Sequence, residues 1–99
     1  MATFSLKLAR TYYEKGFFNV TVDYQNYVRS DSGPVTLMLA DTGQTLPGRV
    51  SRKANPNGTP RIFGGIDLRD WFQQNFKILD TVNIDFVSNE KIVLRIKRS

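Results

Sequence analysis

The chain has 99 residues, of which 40% are hydrophobic, and its 14 Lys or Arg against nine Asp or Glu give a formal net charge of +5. This length predicts one domain over residues 1–99 with a single hydrophobic core. The absence of Cys and His excludes disulfides, thiolate or imidazole metal sites and catalysis by either group, and no apolar run approaches the roughly 18 residues of a membrane span.

Four segments alternate apolar with polar residues, a period that predicts half-buried strands; they lie at residues 4–8, 35–39, 82–86 and 92–96. Phe17–Val22 is a further strand candidate, with Gly16 at the end of the loop before it. The turn Asp41–Gly43 predicts a central hairpin that ends around Arg49. Ser88–Lys91 predicts a second hairpin at the end of the chain.

Two short helices are predicted between the strands. The first is Asp23–Arg29. The second, Asp67–Phe76, begins with an Asp cap and spaces its apolar side chains by three and four, which assigns Trp71 and Phe72 to the core. About seven short strands in so short a chain would leave edges exposed unless the sheet curled into a barrel. We therefore predict a mainly β fold with two short helices, a small seven-stranded open pseudobarrel.

The central segment 42–66 has no carboxylate and contains four cationic side chains: Arg49, Arg52, Lys53 and Arg61. Arginine can bond to both O6 and N7 of guanine, and asparagine to both N6 and N7 of adenine, while lysine suits phosphate. This composition favours nucleic acid as the partner. An exposed hairpin that only keeps a basic protein soluble has the same composition, so charge alone leaves both interpretations open.

Two parts of the sequence follow a known family pattern. Residues 4–8 approximate an opening strand of the type F-x-K-x-L. Later, in GGIDLRDWFQQNFKILDTVNIDF, a glycine pair precedes a helix that contains Phe72 and Asn75, and Asp80 occupies the turn before the next strand. In this order, over nearly its whole length, the chain resembles the B3-like DNA-binding pseudobarrel of plant transcription factors and of restriction endonuclease recognition domains. Leu79 stands where the family usually has Gly, and the central hairpin lacks the Trp of plant members, which favours the restriction-enzyme branch.

The resemblance implies that two basic arms enter the major groove of DNA, a first arm at residues 9–16 and a second arm at residues 49–61. The candidate DNA-binding residues on these arms are Arg10, Thr11, Tyr12, Tyr13, Lys15, Arg49, Arg52, Lys53, Asn55, Asn57, Thr59 and Arg61. Four of them are candidates for reading bases: Arg52, Asn55, Asn57 and Arg61. Lys15 and Lys53 suit phosphates, and the Tyr and Thr hydroxyls could bond to the DNA backbone. Either Asn could equally serve only the turn around Gly58, and one of the two Tyr is expected to pack into the barrel mouth.

The carboxylates are scattered over predicted caps and turns, and the close pair Asp67 and Asp70 opens a helix, where the dipole favours acids. We therefore predict a binding domain without catalysis, cofactor or metal: a monomer that binds double-stranded DNA sequence-specifically as the recognition module of a restriction endonuclease. Cleavage would then belong to a fused or partner nuclease. The N-terminus lacks a secretory signal, so we expect a cytoplasmic protein.

Two other functions remain open from the sequence. One is an OB-like barrel that binds single strands or RNA on Tyr12, Tyr13 or Phe18 as stacking platforms. The other is a protein-interaction barrel whose basic hairpin pairs with an acidic partner.

Overall fold

A computed structural model describes residues 2–96. Within this range the chain forms seven strands: β1 (Ala2–Lys7), β2 (Phe17–Asn19), β3 (Gly33–Leu39), β4 (Gln44–Ser51), β5 (Arg61–Phe63), β6 (Thr81–Ser88) and β7 (Lys91–Ile96). Its helices are α1 (Arg10–Lys15), a 3₁₀ helix (Val22–Tyr27) and α2 (Gly65–Asn75).

The strands of residues 2–96 form one curled sheet in the order β1-β6-β7-β3-β4-β5-β2. β3 and β7 pair in parallel, and the other neighbours are antiparallel. The first two strands of the chain, β1 and β2, occupy the two edges, so the sheet is an open half-barrel. The prediction of a mainly β, seven-stranded pseudobarrel is confirmed, as are the hairpins β3–β4 and β6–β7.

The hydrophobic core fills the inside of the curled sheet. Burial alternates along β1 and β3, and Leu37, Ile62 and Ile84 have no exposed surface. Helix α2 packs against this core, where its Trp71 and Phe72 are buried as the helical spacing predicts. The indole Nε1 of Trp71 donates to a carboxylate oxygen of Asp41 at 3.2 Å, so the buried ring also has its hydrogen-bond partner.

The helices differ in detail from the prediction. A 3₁₀ helix, Val22–Tyr27, replaces the helix predicted at 23–29. Helix α2 begins at Gly65, and its N-cap is Gly64 instead of the expected Asp67, which lies in the first turn. A Cβ on Gly64 would come within 2.4 Å of the Cβ of Leu68, so only glycine allows the chain to enter the helix this closely.

The strand predicted at 17–22 is shorter in the structure, and the loop before it is helical. β2 ends at Asn19, and the 3₁₀ helix begins three residues later at Val22. Residues 10–15 form one and a half turns of α-helix, which ends at Gly16 with φ 77° and a bond from its N–H to the carbonyl of Tyr12. The weak helical pattern of six residues explains why sequence periodicity did not indicate α1.

The turn before β6 contains a strained residue. Leu79 has a left-handed φ of 75°, and the residue is 60% exposed. Its N–H donates to the carbonyl of Leu8 at 2.7 Å, which joins this turn to the end of β1. A left-handed conformation costs a residue with a Cβ roughly 1–2 kcal/mol. This is the position at which the B3-like pattern usually has Gly.

Candidate nucleic-acid interface

The two predicted arms lie at opposite ends of the short strand pair β2–β5. These strands are antiparallel, with Phe17 opposite Phe63 and Asn19 opposite Arg61. Helix α1 leads into the Phe17 end, and the loop 52–60 leads into Arg61 at the other end. At about 3.3 Å per residue, three-residue strands separate the two ends by only about 7 Å. The arms therefore border a narrow flank of the sheet, formed by β4, β5 and the edge strand β2, which we call the β2 flank.

The first arm is a helix seated on α2, and it does not protrude as a loop. The carbonyl of Gly16 accepts the N–H of Gly64 at 2.9 Å. A Cβ on Gly16 would lie 2.1 Å from the carbonyl oxygen of Gly65, so the two helices meet backbone to backbone. This contact holds the exposed cations of α1, Arg10 and Lys15, beside the β2 flank.

Neither tyrosine of the first arm follows the expected alternation of one buried and one exposed ring. Tyr12 and Tyr13 are both half-buried and pack against the core because they lie on a helix and not on a strand. The ring of Tyr12 meets that of Phe17 edge-on at 5.5 Å. Thr11 is exposed on the same helix.

In the second arm, Arg52 folds back onto the protein instead of projecting outward as predicted. Its Nε donates to the carbonyl of Arg29 at 3.0 Å, and its Nη2 donates to those of Gln25 and Val28 at 2.8 and 3.0 Å. Its backbone N–H donates to the hydroxyl of Ser32 at 2.9 Å. Burial lowers the pKa of the guanidinium, which nevertheless stays protonated at neutral pH. Arg52 therefore anchors the arm to the 3₁₀ helix and the segment after it.

Arg61 and Asn55 are also occupied by internal bonds. Arg61 donates from Nε to the side-chain oxygen of Asn19 at 2.9 Å and from Nη2 to that of Asn55 at 3.1 Å. Asn55 donates in turn to Asn19 at 3.0 Å and to the carbonyl of Thr59 at 3.2 Å. The guanidinium of Arg61 lies over the ring of Phe17, 4.6 Å from its centroid. This network joins Asn55 in the loop and Arg61 at the start of β5 to β2; it uses both N–H donors and the oxygen of the Asn55 amide and two of the five N–H donors of Arg61.

Asn57 and Thr59 form the tip of the second arm. The side-chain oxygen of Asn57 accepts the N–H of Thr59 at 3.2 Å and its hydroxyl at 2.7 Å, a turn of the Asx type. Gly58 between them has a φ of 77°. Thr59 is 5% exposed, so its hydroxyl is not offered to a DNA backbone as predicted.

Two candidates of the second arm keep exposed charged groups: Arg49 and Lys53. Arg49 lies on β4, directly opposite Phe63 of β5. The neighbours Val50 and Ile62 are fully buried, so Arg49 and Phe63 share the outer face of the sheet. Phe63 and Asn19 are not among the candidates predicted from the sequence. The alternation of Arg61, Ile62 and Phe63 could have placed Phe63 on this face.

The segments that form the β2 flank and its two arms contain few carboxylates. Residues 42–66 have no carboxylate, and the first arm has one, Glu14. Glu14 lies 3.7 Å from Arg10, and both side chains are more than half exposed, so their attraction is weak in water.

Three further features bear on other functions. Phe18 has no exposed surface, so the stacking platform that a single-strand binder would need is not formed there. In residues 2–96, no group of three or more His, Cys, Asp or Glu could hold a metal ion. No helix in this range is long and apolar enough to cross a membrane.

No family model and no curated protein matches the sequence. Among solved structures, the chain is similar to the N-terminal domain of Helicobacter pylori LlaJI.R1, with a TM-score of 0.70 and 15% identity. The match covers 99% of this chain and 82% of that one. At this identity the similarity shows a shared fold, which agrees with the pseudobarrel described above.

Proposed function

We propose that this domain binds double-stranded DNA sequence-specifically, with the β2 flank and its two arms in the major groove. The observation behind the proposal is a set of exposed cations on segments that contain a single carboxylate, Glu14: Arg10, Lys15, Arg49 and Lys53. Such cations release the counterions of phosphates and supply most of the affinity for nucleic acid.

The dimensions of the flank support the major groove as the binding place. Strands lie about 4.8 Å apart, so β4, β5 and β2 together span about 10 Å between the axes of the outer two. The major groove of B-form DNA is about 12 Å wide and admits a two-stranded ribbon. With β2 as the edge strand, β2 and β5 would enter the groove and place one arm at each end of the inserted pair, where its cations can reach phosphates.

The internal bonds suggest different roles for the candidate residues. Arg49 is the exposed guanidinium on the strand face and is our candidate for reading a guanine. Lys15 and Lys53, on opposite arms, suit the phosphates on either side. Arg52, Asn55 and Arg61 form hydrogen bonds within the protein that fix the shape of the second arm before DNA binds. This lowers the entropy cost of binding.

The B3-like sequence pattern, together with the fold shared with the LlaJI.R1 N-terminal domain, supports a role as the recognition module of a restriction endonuclease. In this proposal the domain acts as a cytoplasmic monomer without catalysis of its own, and a separate domain or polypeptide cleaves the DNA.

The test is selection of bound oligonucleotides from a random duplex pool, followed by fluorescence anisotropy with the enriched duplex, a scrambled duplex and a single strand. We expect one enriched motif, whose duplex binds tightly at low salt and loses affinity steeply as salt is added. The scrambled duplex should bind much more weakly. Equal binding of all duplexes would reject sequence specificity. Preference for the single strand would support the OB-like alternative, and no binding at low salt would reject nucleic acid altogether.

A further inference from the structure

Phe63 is an exposed aromatic ring on β5, the middle strand of the β2 flank, at the end next to the first arm. It is 36% exposed, and its inner neighbour Ile62 is fully buried. Single exposed apolar residues are common on protein surfaces, so exposure alone does not indicate a contact. Phe63 is distinguished by its position on the basic flank, directly opposite Arg49.

The ring of Phe63 is supported from the side by Phe17, directly opposite on β2. Its centroid lies 5.6 Å from that of Phe17, which is 9% exposed. Phe17 is in turn fixed by Tyr12 on one side and by the guanidinium of Arg61, 4.6 Å from its ring centroid. A side chain supported in this way loses little conformational freedom when it contacts a ligand.

The chemistry of the major groove offers a fitting partner for such a ring. Thymine presents its C5 methyl group there, and phenylalanine is one of the side chains that make apolar contact with it. Directly opposite residues of an antiparallel pair have Cβ atoms about 5 Å apart, so Phe63 and Arg49 can reach neighbouring base pairs, whose phosphates are spaced by about 3.4 Å along the axis.

We propose that Phe63 reads the C5 methyl group of a pyrimidine in the target site, next to a guanine bound by Arg49. This inference rests on the proposed function, since it requires the β2 flank to lie in the major groove. The methyl group can come from thymine or from 5-methylcytosine, which present it at the same place. The target is thus a duplex in which a guanine adjoins a 5-methylated pyrimidine.

The experiment uses the duplex enriched by selection from unmodified DNA. Each thymine is replaced singly by uracil, which removes only the methyl group, and each cytosine singly by 5-methylcytosine. Anisotropy is measured with the wild-type chain and with Phe63→Ala, and Phe63→Leu serves as a matched apolar control. Thermal unfolding confirms that all three are folded.

If thymine is the partner, one uracil should weaken binding by the wild-type chain about fourfold, the factor expected for one buried carbon. If 5-methylcytosine is the partner, one methylated cytosine should strengthen binding by a similar factor. Phe63→Ala should remove the effect, and Phe63→Leu should retain part of it. This inference is overturned, while DNA binding stands, if the parent duplex binds but no uracil or 5-methylcytosine replacement changes the affinity. It is also overturned if such a replacement changes the affinity of Phe63→Ala as much as that of the wild-type chain. Failure of every duplex to bind would instead overturn the proposed function.

Discussion

The Nη2 atom of Arg52 lies 2.8 Å from the carbonyl oxygen of Gln25, 27 residues earlier in the chain. This bond ties the start of the second arm to the 3₁₀ helix. Together with the bonds to Val28 and Arg29, it gives the carbonyls where that helix ends a charged donor. A residue whose type predicts base reading thus positions the arm instead.

Arg52→Ala should destabilise the fold by about 2 kcal/mol, because it leaves three carbonyls without their charged donor. Arg49→Ala is the matched control. It removes an exposed arginine and should change the free energy of unfolding by less than about 0.5 kcal/mol. Urea unfolding of both variants checks this, and equal stabilities would contradict the anchoring role of Arg52.

Leu79→Gly should stabilise the protein by about 0.5–1 kcal/mol. The left-handed φ of 75° strains leucine but not glycine, and part of the gain is offset by the greater freedom of glycine in the unfolded chain. Because the leucine side chain is 60% exposed, little burial is lost. Leu79→Ala keeps the strain and should show no such gain. Thermal and urea unfolding measure the difference, and a less stable glycine variant would show that the leucine side chain matters.

Asp85→Asn should make the free energy of unfolding depend less on pH in the acidic range. Arg95 donates to Asp85, and the hydroxyl of Thr3 donates to its other oxygen at 2.7 Å. The bond from Arg95, aided by Thr3, lowers the pKa of the Asp85 carboxyl although burial opposes this. A lowered pKa in the folded state stabilises the protein above the unfolded pKa of about 3.9, and this stability is lost as the pH falls through the folded pKa.

At pH 7 we therefore expect the Asp85→Asn variant to be less stable by about 1 kcal/mol, a modest value because Arg95 is half exposed. The difference should shrink below about pH 4. Urea unfolding from pH 7 to pH 3 measures it. A difference independent of pH would show that the effect is one of packing.

Lys15→Ala and Lys53→Ala should weaken binding to the enriched and the scrambled duplex by similar factors, because phosphate contacts do not depend on sequence. Each should also reduce the slope of log affinity against log salt by about one. Lys91→Ala is the matched control, since this exposed lysine lies on β7, three strands away from β5. Anisotropy between low and physiological salt checks this. An equal loss for Lys91→Ala would indicate attraction to net charge without a defined site.

Much of the fold follows from local patterns. The alternation over residues 35–39 and 82–86 correctly placed β3 and β6, because apolar and polar residues that alternate along the chain fall on opposite faces of a strand. Helix α1 was missed because its six residues are stabilised by contact with α2 and not by their own sequence. The N-cap is Gly64 and not Asp67 for a similar reason, since the close approach of Gly64 to Leu68 decides where α2 can begin.

The sequence by itself determined the class of the fold and the location of the basic segments, because periodicity and charge are local properties of the chain. Only the tertiary structure decided which of the basic and polar side chains remain exposed. Arg52, Asn55 and Arg61 are bound internally by partners as far as 42 residues away, whereas Arg49 and Lys53 stay exposed. A hydrogen bond depends on which groups the fold brings within about 3 Å, and separation along the chain does not specify that distance.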